Sequence, residues 1–514
     1  MSDQNFYITT PIYYPSGNPH MGHAYSSIVA DVLARFKRLE GKNVHFLTGT
    51  DEHGLKIQRE AEKQNKSSKL FCDEVSSKFK NLSKILNLSI DDFIRTSEPR
   101  HHNSVKAIWN KLLESGDIYL SKYAGWYSIS DEAYYTDDEI ITEDKKKIAK
   151  SSGSPVDWIE EESYFFKLSV WQDKLLEHYK KHPNFILPRS RNNEITKFVE
   201  GGLNDLSVSR TSFKWGIQVP NNDKHIVYVW LDALTNYISA LDFPDVNSSL
   251  YKKFWPANIH IIGKDILRFH AVYWPAFLMA AKLPLPLKIY GHGWILSDDK
   301  KMSKSVGNIL DPLEIIDKYG IDQLRYYLIK EVSLGNDGNI SMENLKNCIN
   351  NDLANNFGNL CQRVFSFLER NCSGKLPNFT EFEEVDLNLM RNLTDQIDNL
   401  IIDMDKQNLN SYIKKVVDFS FSANKYFNDL EPWALKKNNI ERMNNIIYTV
   451  VTQIKNISIL LSPIIPISSE KILDIMNIKK KDRFLKSINN KNIFDHNLEF
   501  KKTTILFKKI ENDN

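Results

Sequence analysis

The sequence predicts an α/β chain: an open sheet with parallel-type strands, split by an insertion and followed by an all-α domain. Three observations predict it. The first fifty residues alternate strand, helix and strand. That alternation breaks off near residue 116 and resumes near residue 223. Beyond residue 346, apolar residues recur at helical spacing through one segment after another.

Residues 6–9 read as a short strand, and residues 14–19 as a loop rich in Pro, Gly and Asn. A helix follows with Ile28, Val32, Phe36 and Leu39 on one face, beside Val29 and Leu33, until Gly41 stops it. Residues 44–48 are an apolar strand of the kind a parallel sheet buries on both faces. It runs into the polar cluster Gly49-Thr50-Asp51-Glu52-His53-Gly54. Open α/β sheets bind ligands beyond the carboxyl ends of their strands, so both loops fall where a site is expected.

Residues 116–222 mix short strands, acidic turns and the lysine run 145–147, and read as an insertion. Strands return at 226–230 and 259–262, the second followed by an amphipathic helix. Residues 291–345 read as a loop-rich link. Helices are expected over 352–368, 386–405, 410–427 and 442–461; the first places Leu353, Phe357, Leu360, Val364 and Leu368 on one stripe. Residues 498–508 alternate enough for a terminal strand. The expected organisation is a split α/β domain (1–115 and 223–290), an insertion (116–222), a link (291–345) and a helical domain (346–514).

A chain of 514 residues exceeds one compact core, and 42% hydrophobic content supplies several. The net charge of +2 excludes attraction to nucleic acid through an overall basic field, so an RNA partner would be met by local contacts. The lysine runs at 145–147 and 479–481 read first as solvated surface. Cys72, Cys348, Cys361 and Cys372 form no CxxC pair, which fits a reducing compartment and no cysteine-held zinc. The N-terminus resembles neither a signal nor a transit peptide, and the apolar run 459–467 is broken by Pro463 and Pro466. A soluble, cytoplasmic protein with no membrane contact is expected.

Two motifs carry chemistry. Pro19-His20-Met21-Gly22-His23 joins a Gly/Pro loop to a helix N-terminus, where backbone N–H groups and the positive dipole end suit phosphate. His20 and His23 can donate to phosphate oxygens, and Gly22 leaves room for a flat adenine. Lys301-Met302-Ser303-Lys304-Ser305 places two lysines three apart in a polar loop, suited to closing on a triphosphate and reopening for pyrophosphate. Alone, the first is a weak pattern and the second an exposed basic loop.

Together, PHMGH and KMSKS resemble the two signature motifs of class I aminoacyl-tRNA synthetases, in the right order and at the two ends of a split Rossmann-like domain. TTPIYYPSGNPHMGH, FLTGTDEHG, DLSVSR, YVWLDAL, IIGKDILRFH and EPW further resemble the methionyl-tRNA synthetases over nearly the whole chain. The resemblance implies a Rossmann-like class I catalytic domain, an inserted connective domain and an all-α anticodon-binding domain. It implies ligation of L-methionine to tRNA(Met), initiator tRNA included, with ATP and Mg²⁺. Its catalytic set is His20, His23, Lys301, Lys304 and Arg210, with ATP held by His20, Gly22, His23, Lys301, Ser303 and Lys304. The methionine pocket it implies comprises Pro11, Ile12, Tyr14, Asp51, Trp230, Ala233, Leu234, Tyr237, Ile266 and His270. Anticodon contacts fall to Asn359, Arg363 and Trp433.

The residues themselves are compatible with that list. Aromatic walls hold a polarizable thioether well, Tyr14 or His270 can offer its sulfur a hydrogen bond, and Asp51 suits an ammonium. Without the resemblance, Trp230 at the end of an apolar strand reads as core, and Trp433 as interhelical packing. Asn359 and Arg363, four apart, share a polar helix face.

Many relatives carry a zinc knuckle in the insertion. Here Ser128 and Asp131 stand at the cysteine positions of one CxxC, and no second CxxC or CxxH lies downstream, so no structural zinc and no metal ligands are expected. The chain offers no appendage of the kind that makes some relatives dimeric, so a monomer is expected. Synthetases for leucine, isoleucine and valine need a larger editing insertion than 116–222, and the cysteine enzyme needs zinc ligands. Small nucleotidyltransferases lack KMSKS and the helical half. A non-catalytic RNA-binding relative need not keep His20, His23, Asp51, Lys301 and Lys304 together.

Overall fold

The computed structural model describes residues 4–15, 18–131, 133–143, 146–297, 300–301, 310–488, 494, 499–501 and 506–511. The chain divides into two compact units, residues 1–19 with 44–292 and residues 20–43 with 293–514. The helix α1 (Met21–Leu39) therefore belongs to the second unit, although the chain reaches it directly from strand β1 (Asn5–Thr9) in the first.

In the first unit β1 joins β2 (Asn43–Thr50), β3 (Asp92–Arg95), β4 (Ile186–Leu187), β5 (Ile259–Gly263) and β6 (Ile289–His292) in one sheet, ordered β3-β2-β1-β5-β6-β4. β3 with β2, β1 with β5, β5 with β6 and β6 with β4 all pair in parallel. The apolar run in β2 is buried from Val44 onward, as a strand covered on both faces must be. The order reverses beside β1, so the crevice beyond the carboxyl ends of β1, β2 and β5 is the expected ligand site. Pro11 and Ile12 follow β1, Asp51 follows β2 and Ile266 follows β5.

In the first unit two expectations need correction. β4 lies inside the expected insertion 116–222 yet belongs to the main sheet, paired with β6 through Ile186 and Leu187. A two-residue strand is too short to show a period. The strand expected over 226–230 ends at Val227, in an antiparallel three-stranded sheet with Ser209–Arg210 and Gln218–Val219. Trp230 sits instead in the first turn of the short helix α2 (Val229–Leu234). The rest of the insertion is built on the long antiparallel pair Ile118–Ser128 and Asp157–Phe166. Trp126 packs edge-on to Trp158 at 5.1 Å, and Tyr164 edge-on to Trp109 at 5.3 Å.

The second unit is helical. α1 is buried on nearly every side, so its one buried carboxylate needs a partner: Asp31 meets the fully buried Arg325 at 2.6 Å. Helices Pro312–Tyr319 and Ile321–Glu331 occupy the expected loop-rich link. The signal was present: Asp311 caps with its carboxylate accepting from Leu313 N at 2.8 Å, Pro312 starts the first turn, and Gly320 at φ +102° separates the two. The stripe Leu353, Phe357, Leu360, Val364 and Leu368 is buried, along Ile349–Gly358 and Asn359–Asn371. Glu384–Thr394, Ile397–Asp405, Leu409–Asp429, Ile440–Leu461 and Pro466–Ile475 follow, so the helix expected over 386–405 is broken after Thr394. The expected terminal strand is not found among the described residues, where Glu499 makes a single bridge to Lys375; 498 and 502–505 lie outside them. No helix among the described residues is long and apolar enough to cross a membrane.

Candidate active site

In the second unit, His20 and His23 open α1 as a reciprocal cap. Gly22 N donates to His20 Nδ1 at 3.1 Å, and His20 N donates to His23 Nδ1 at 3.2 Å. A ring nitrogen that accepts carries no proton, so each imidazole is neutral with its proton on Nε2. The rings stack with centroids 3.7 Å apart, an arrangement that two imidazolium ions would resist. Burial, and then the neighbouring His20, hold the pKa of His23 well below 6.5. The pair thus presents neutral N–H donors at a helix N-terminus whose first turn has no acidic residue. Gly22 has a local reason too: a Cβ there would lie 3.1 Å from the folded-back His20 ring.

In the first unit, the carboxyl end of β2 is fastened from several directions. Asp51 N donates to Tyr13 O at 2.9 Å and Tyr13 N to Gly49 O at 2.8 Å, which draws residues 11–14 alongside the Asp51 loop. Gly49 passes so close to β3 that a Cβ would stand 2.0 Å from Ile94 O. The buried Glu52 accepts from Arg95 Nε at 2.6 Å and Nη2 at 2.9 Å, and from Ser97 Oγ at 2.5 Å. Its backbone N donates to Thr96 Oγ1 at 2.9 Å. His53 Nδ1 meets Asp232 Oδ2 at 2.6 Å, and His101 Nε2 meets Asp232 Oδ1 at 2.7 Å. Sequence reasoning assigned no role to Glu52, Arg95, His53, His101 or Asp232. These partners lie 43 to 179 residues apart, so no local pattern announces them.

Of the predicted pocket residues, Ile12, Trp230, Leu234, Tyr237 and Ile266 share one apolar core, and His270 joins Tyr237 there. Trp230 stacks on Phe269 with centroids 3.6 Å apart, and its buried indole N–H has no hydrogen-bond partner among the described residues. Tyr237 is fully buried and hydrogen-bonds His270 Nε2 at 2.7 Å, while His270 Nδ1 lies 3.0 Å from Ile266 O. A carbonyl only accepts, so Nδ1 is the donor and Nε2 accepts from the Tyr237 hydroxyl. His270 therefore has no N–H left for a thioether in this arrangement, and of the two expected sulfur donors only Tyr14 remains. Ile12, Trp230 and Ile266 pack against the core that contains Leu234 and Tyr237. Tyr14 instead packs against the cluster of Tyr13, Ile57 and Phe79. Pro11 is half-buried, and Ala233 is buried on α2.

Arg210 is buried, donates Nη1 to Ser209 O at 2.6 Å and lies over the Tyr228 ring at 4.3 Å. In the second unit, Arg363 donates Nη2 to Asn428 Oδ1 at 2.6 Å and lies over Phe427 at 5.2 Å and Trp433 at 6.0 Å. Trp433 is 46% exposed and meets Phe427 edge-on, so it packs on a neighbouring helix and still leaves part of its ring at the surface. Glu431, at φ +41°, bends the chain into Pro432 just before it. Asn359 is exposed at the start of the helix that carries Arg363.

Residues 6–365 match the family model described as tRNA synthetases class I (M), and residues 376–514 match the anticodon binding domain of methionyl tRNA ligase. The chain belongs to the methionyl-tRNA synthetase family. It is 48% identical over 483 residues to the methionine–tRNA ligase of Brucella suis, covering 94% of each chain. It is 46% identical over 511 residues to that of Rickettsia felis, covering 99% of each. Among solved structures it resembles Mycobacterium tuberculosis methionyl-tRNA synthetase in complex with methionyl-adenylate, with a TM-score of 0.95, 42% identity and coverage of 98% of this chain and 99% of that one. The apo form of the same enzyme gives 0.90 at 39% identity, with 99% of both chains covered.

In this methionyl-tRNA synthetase family member the insertion is centred on Asp131. Asp131, where no zinc knuckle is expected, accepts from Tyr135 OH at 2.7 Å, Ser152 Oγ at 2.5 Å and Ser154 Oγ at 2.6 Å, and its N–H donates to Ser128 Oγ at 3.3 Å. Three hydroxyls thus occupy the Asp131 carboxylate. The backbone of Lys300–Lys301 pairs with Leu296 and Ser297 as a short hairpin. The Lys301 side chain and residues 302–309, with Ser303 and Lys304, lie outside the described residues.

Proposed function

We propose that this chain ligates L-methionine to tRNA(Met), initiator tRNA included, and that the residues above divide the work as follows. The methionine carboxylate attacks the α-phosphorus of ATP in line, forming methionyl-adenylate and releasing pyrophosphate. Little covalent chemistry falls to the protein, so positioning and electrostatics do the catalysis. His20 and His23 donate to phosphate oxygens, Gly22 lets adenine approach, and Lys301, Ser303 and Lys304 hold the charge building on the leaving pyrophosphate. Mg²⁺ bound with the triphosphate would neutralise part of that charge. Arg210 supports the adenylate. Asp51 receives the substrate ammonium. The thioether lies among Pro11, Ile12, Tyr14, Trp230, Ala233, Leu234, Tyr237, Ile266 and His270. A ribose hydroxyl of the tRNA's terminal adenosine, the 2′-hydroxyl by family resemblance, then attacks the adenylate carbonyl, and AMP leaves.

The catalytic work falls to segments 1–115 and 223–290 with the link 291–345, and the 116–222 insertion folds without zinc. Asn359, Arg363 and Trp433 in segment 346–514 read the anticodon by stacking and edge hydrogen bonds. The protein works as a cytoplasmic monomer. One observation carries the choice of amino acid: the buried, neutral Tyr237–His270 pair beside the stacked Trp230 makes an apolar, aromatic-walled site with no charge at its side-chain end. Such a wall suits an unbranched, polarizable side chain.

ATP–pyrophosphate exchange across the twenty amino acids tests the reading. Exchange with methionine alone is expected. A preference for leucine or valine would overturn the pocket, and silence with every amino acid would favour an RNA-binding relative without catalysis.

A further inference from the structure

We propose that Asp232 is a positioning residue for the amino-acid pocket, tying the Asp51 loop to α2 by accepting hydrogen bonds from His53 and His101. The proposal rests on the reading of Asp51 and Trp230 as two sides of the methionine site.

The Asp232 side chain is fully buried, and so is that of His101. Each carboxylate oxygen takes one imidazole: Oδ2 meets His53 Nδ1 at 2.6 Å and Oδ1 meets His101 Nε2 at 2.7 Å. A carboxylate here only accepts, so both rings donate. A lone buried charge would be very costly, and the two imidazoles make this one tolerable. Burial alone would raise the Asp232 pKa, but the two histidines outweigh it and hold the group ionised.

The connectivity gives the cluster its meaning. His53 lies two residues beyond Asp51, and Asp232 lies two residues beyond Trp230 and directly before Ala233. One short hydrogen bond therefore joins the segment that would hold the substrate ammonium to the segment that would wall its side chain. Glu52 fastens the same loop toward β3 through Arg95, Ser97 and Thr96, which leaves His53 as the residue reaching α2. His101 braces from α-helical segment Pro99–Glu114, and its other nitrogen, Nδ1, has no partner among the described residues. Its polar role is thus to hold the second oxygen of Asp232. Neither histidine has a step in the adenylation chemistry.

Substituting Asp232 would strand two buried imidazoles, so the test varies the donors. Steady-state ATP–pyrophosphate exchange is measured with methionine and ATP varied separately, alongside thermal melting. His53→Ala should raise KM for methionine about tenfold while KM for ATP stays within about twofold, because misplacement falls on one substrate. His53→Asn, whose amide nitrogen stands where Nδ1 does, should restore most of the loss. His101→Gln should likewise outperform His101→Ala, since its amide nitrogen stands near Nε2. An unchanged methionine KM in His53→Ala, equal changes for both substrates, or no rescue by His53→Asn would overturn the proposal. Asp51→Asn separates the two readings. If it raises methionine KM and His53→Ala does not, the positioning role alone fails; if neither does, the pocket assignment fails with it.

Discussion

The Tyr237 hydroxyl donates to His270 Nε2 at 2.7 Å because His270 gives its Nδ1–H to the Ile266 carbonyl at 3.0 Å. The arrangement requires a neutral ring. Burial pushes the His270 pKa down to about 4, with the Ile266 carbonyl and Asp265 opposing the shift. The unfolded chain protonates this histidine near 6.5, so between pH 6.5 and about 4 it binds a proton that the folded chain does not. Stability from this site is whole above that window and drains as pH falls through it, by roughly 3 kcal/mol. His102 and His178, both pushed down to about 4 chiefly by burial, act in the same direction. Urea midpoints should therefore fall steadily with acidification, and His270→Asn should flatten the slope. An unaltered slope would mean that His270 is already protonated in the fold.

His20 does two jobs that substitution can separate. Asparagine is a favoured N-cap, so His20→Asn should keep α1 within about 0.5 kcal/mol of its native stability. It lacks a donor at the Nε2 position, so the rate of adenylate formation should drop about 10²–10³-fold, as for loss of a preorganised donor. Stopped-flow pyrophosphate release and thermal melting read the two effects. Near-native adenylation in His20→Asn would place the phosphate elsewhere.

Much of this was legible in the sequence, and the limits have physical causes. The runs that became β1, β2 and β5 are apolar and bounded by polar loops, and α1 carries its full helical face. The stripe from Leu353 to Leu368 is buried as its spacing requires. Trp230 was misplaced onto a strand because Ile226 to Trp230 is an unbroken apolar run, in which a strand and a buried helix start look alike. The motifs that carry His20 and Asp51 stand out in the sequence because they are local. The Asp232 node could not, since its partners come from a helix and a loop 131 and 179 residues away.

Trp433 should matter to the RNA and not to the small substrates. It is half-exposed beside the Arg363 guanidinium, a surface on which an unpaired base can stack. Stacking contributes roughly 1–3 kcal/mol per base, so Trp433→Ala should raise KM for tRNA about 10- to 100-fold. ATP–pyrophosphate exchange without tRNA should be unchanged. If aminoacylation kinetics show an unaltered KM for tRNA, Trp433 is not at the anticodon.

Asp131 decides whether the insertion needs a metal. A carboxylate that already accepts from Tyr135, Ser152 and Ser154 ties two turns together with charge-assisted hydrogen bonds. Zinc would have to displace those hydroxyls and would gain only one strong ligand, since serine oxygens bind it poorly. Asp131→Ala should therefore loosen this region, costing roughly 1–3 kcal/mol locally and raising amide exchange around Ser128 and Ser154. Prolonged chelation of the native protein, assayed with Mg²⁺ restored, should leave aminoacylation unaltered. Because the hydroxyl network and a zinc site compete for the same oxygen atoms, stoichiometric zinc in the purified protein would mean that the network yields to the metal. Chelation would then reproduce the Asp131→Ala exchange pattern, an outcome opposite to the one this geometry predicts.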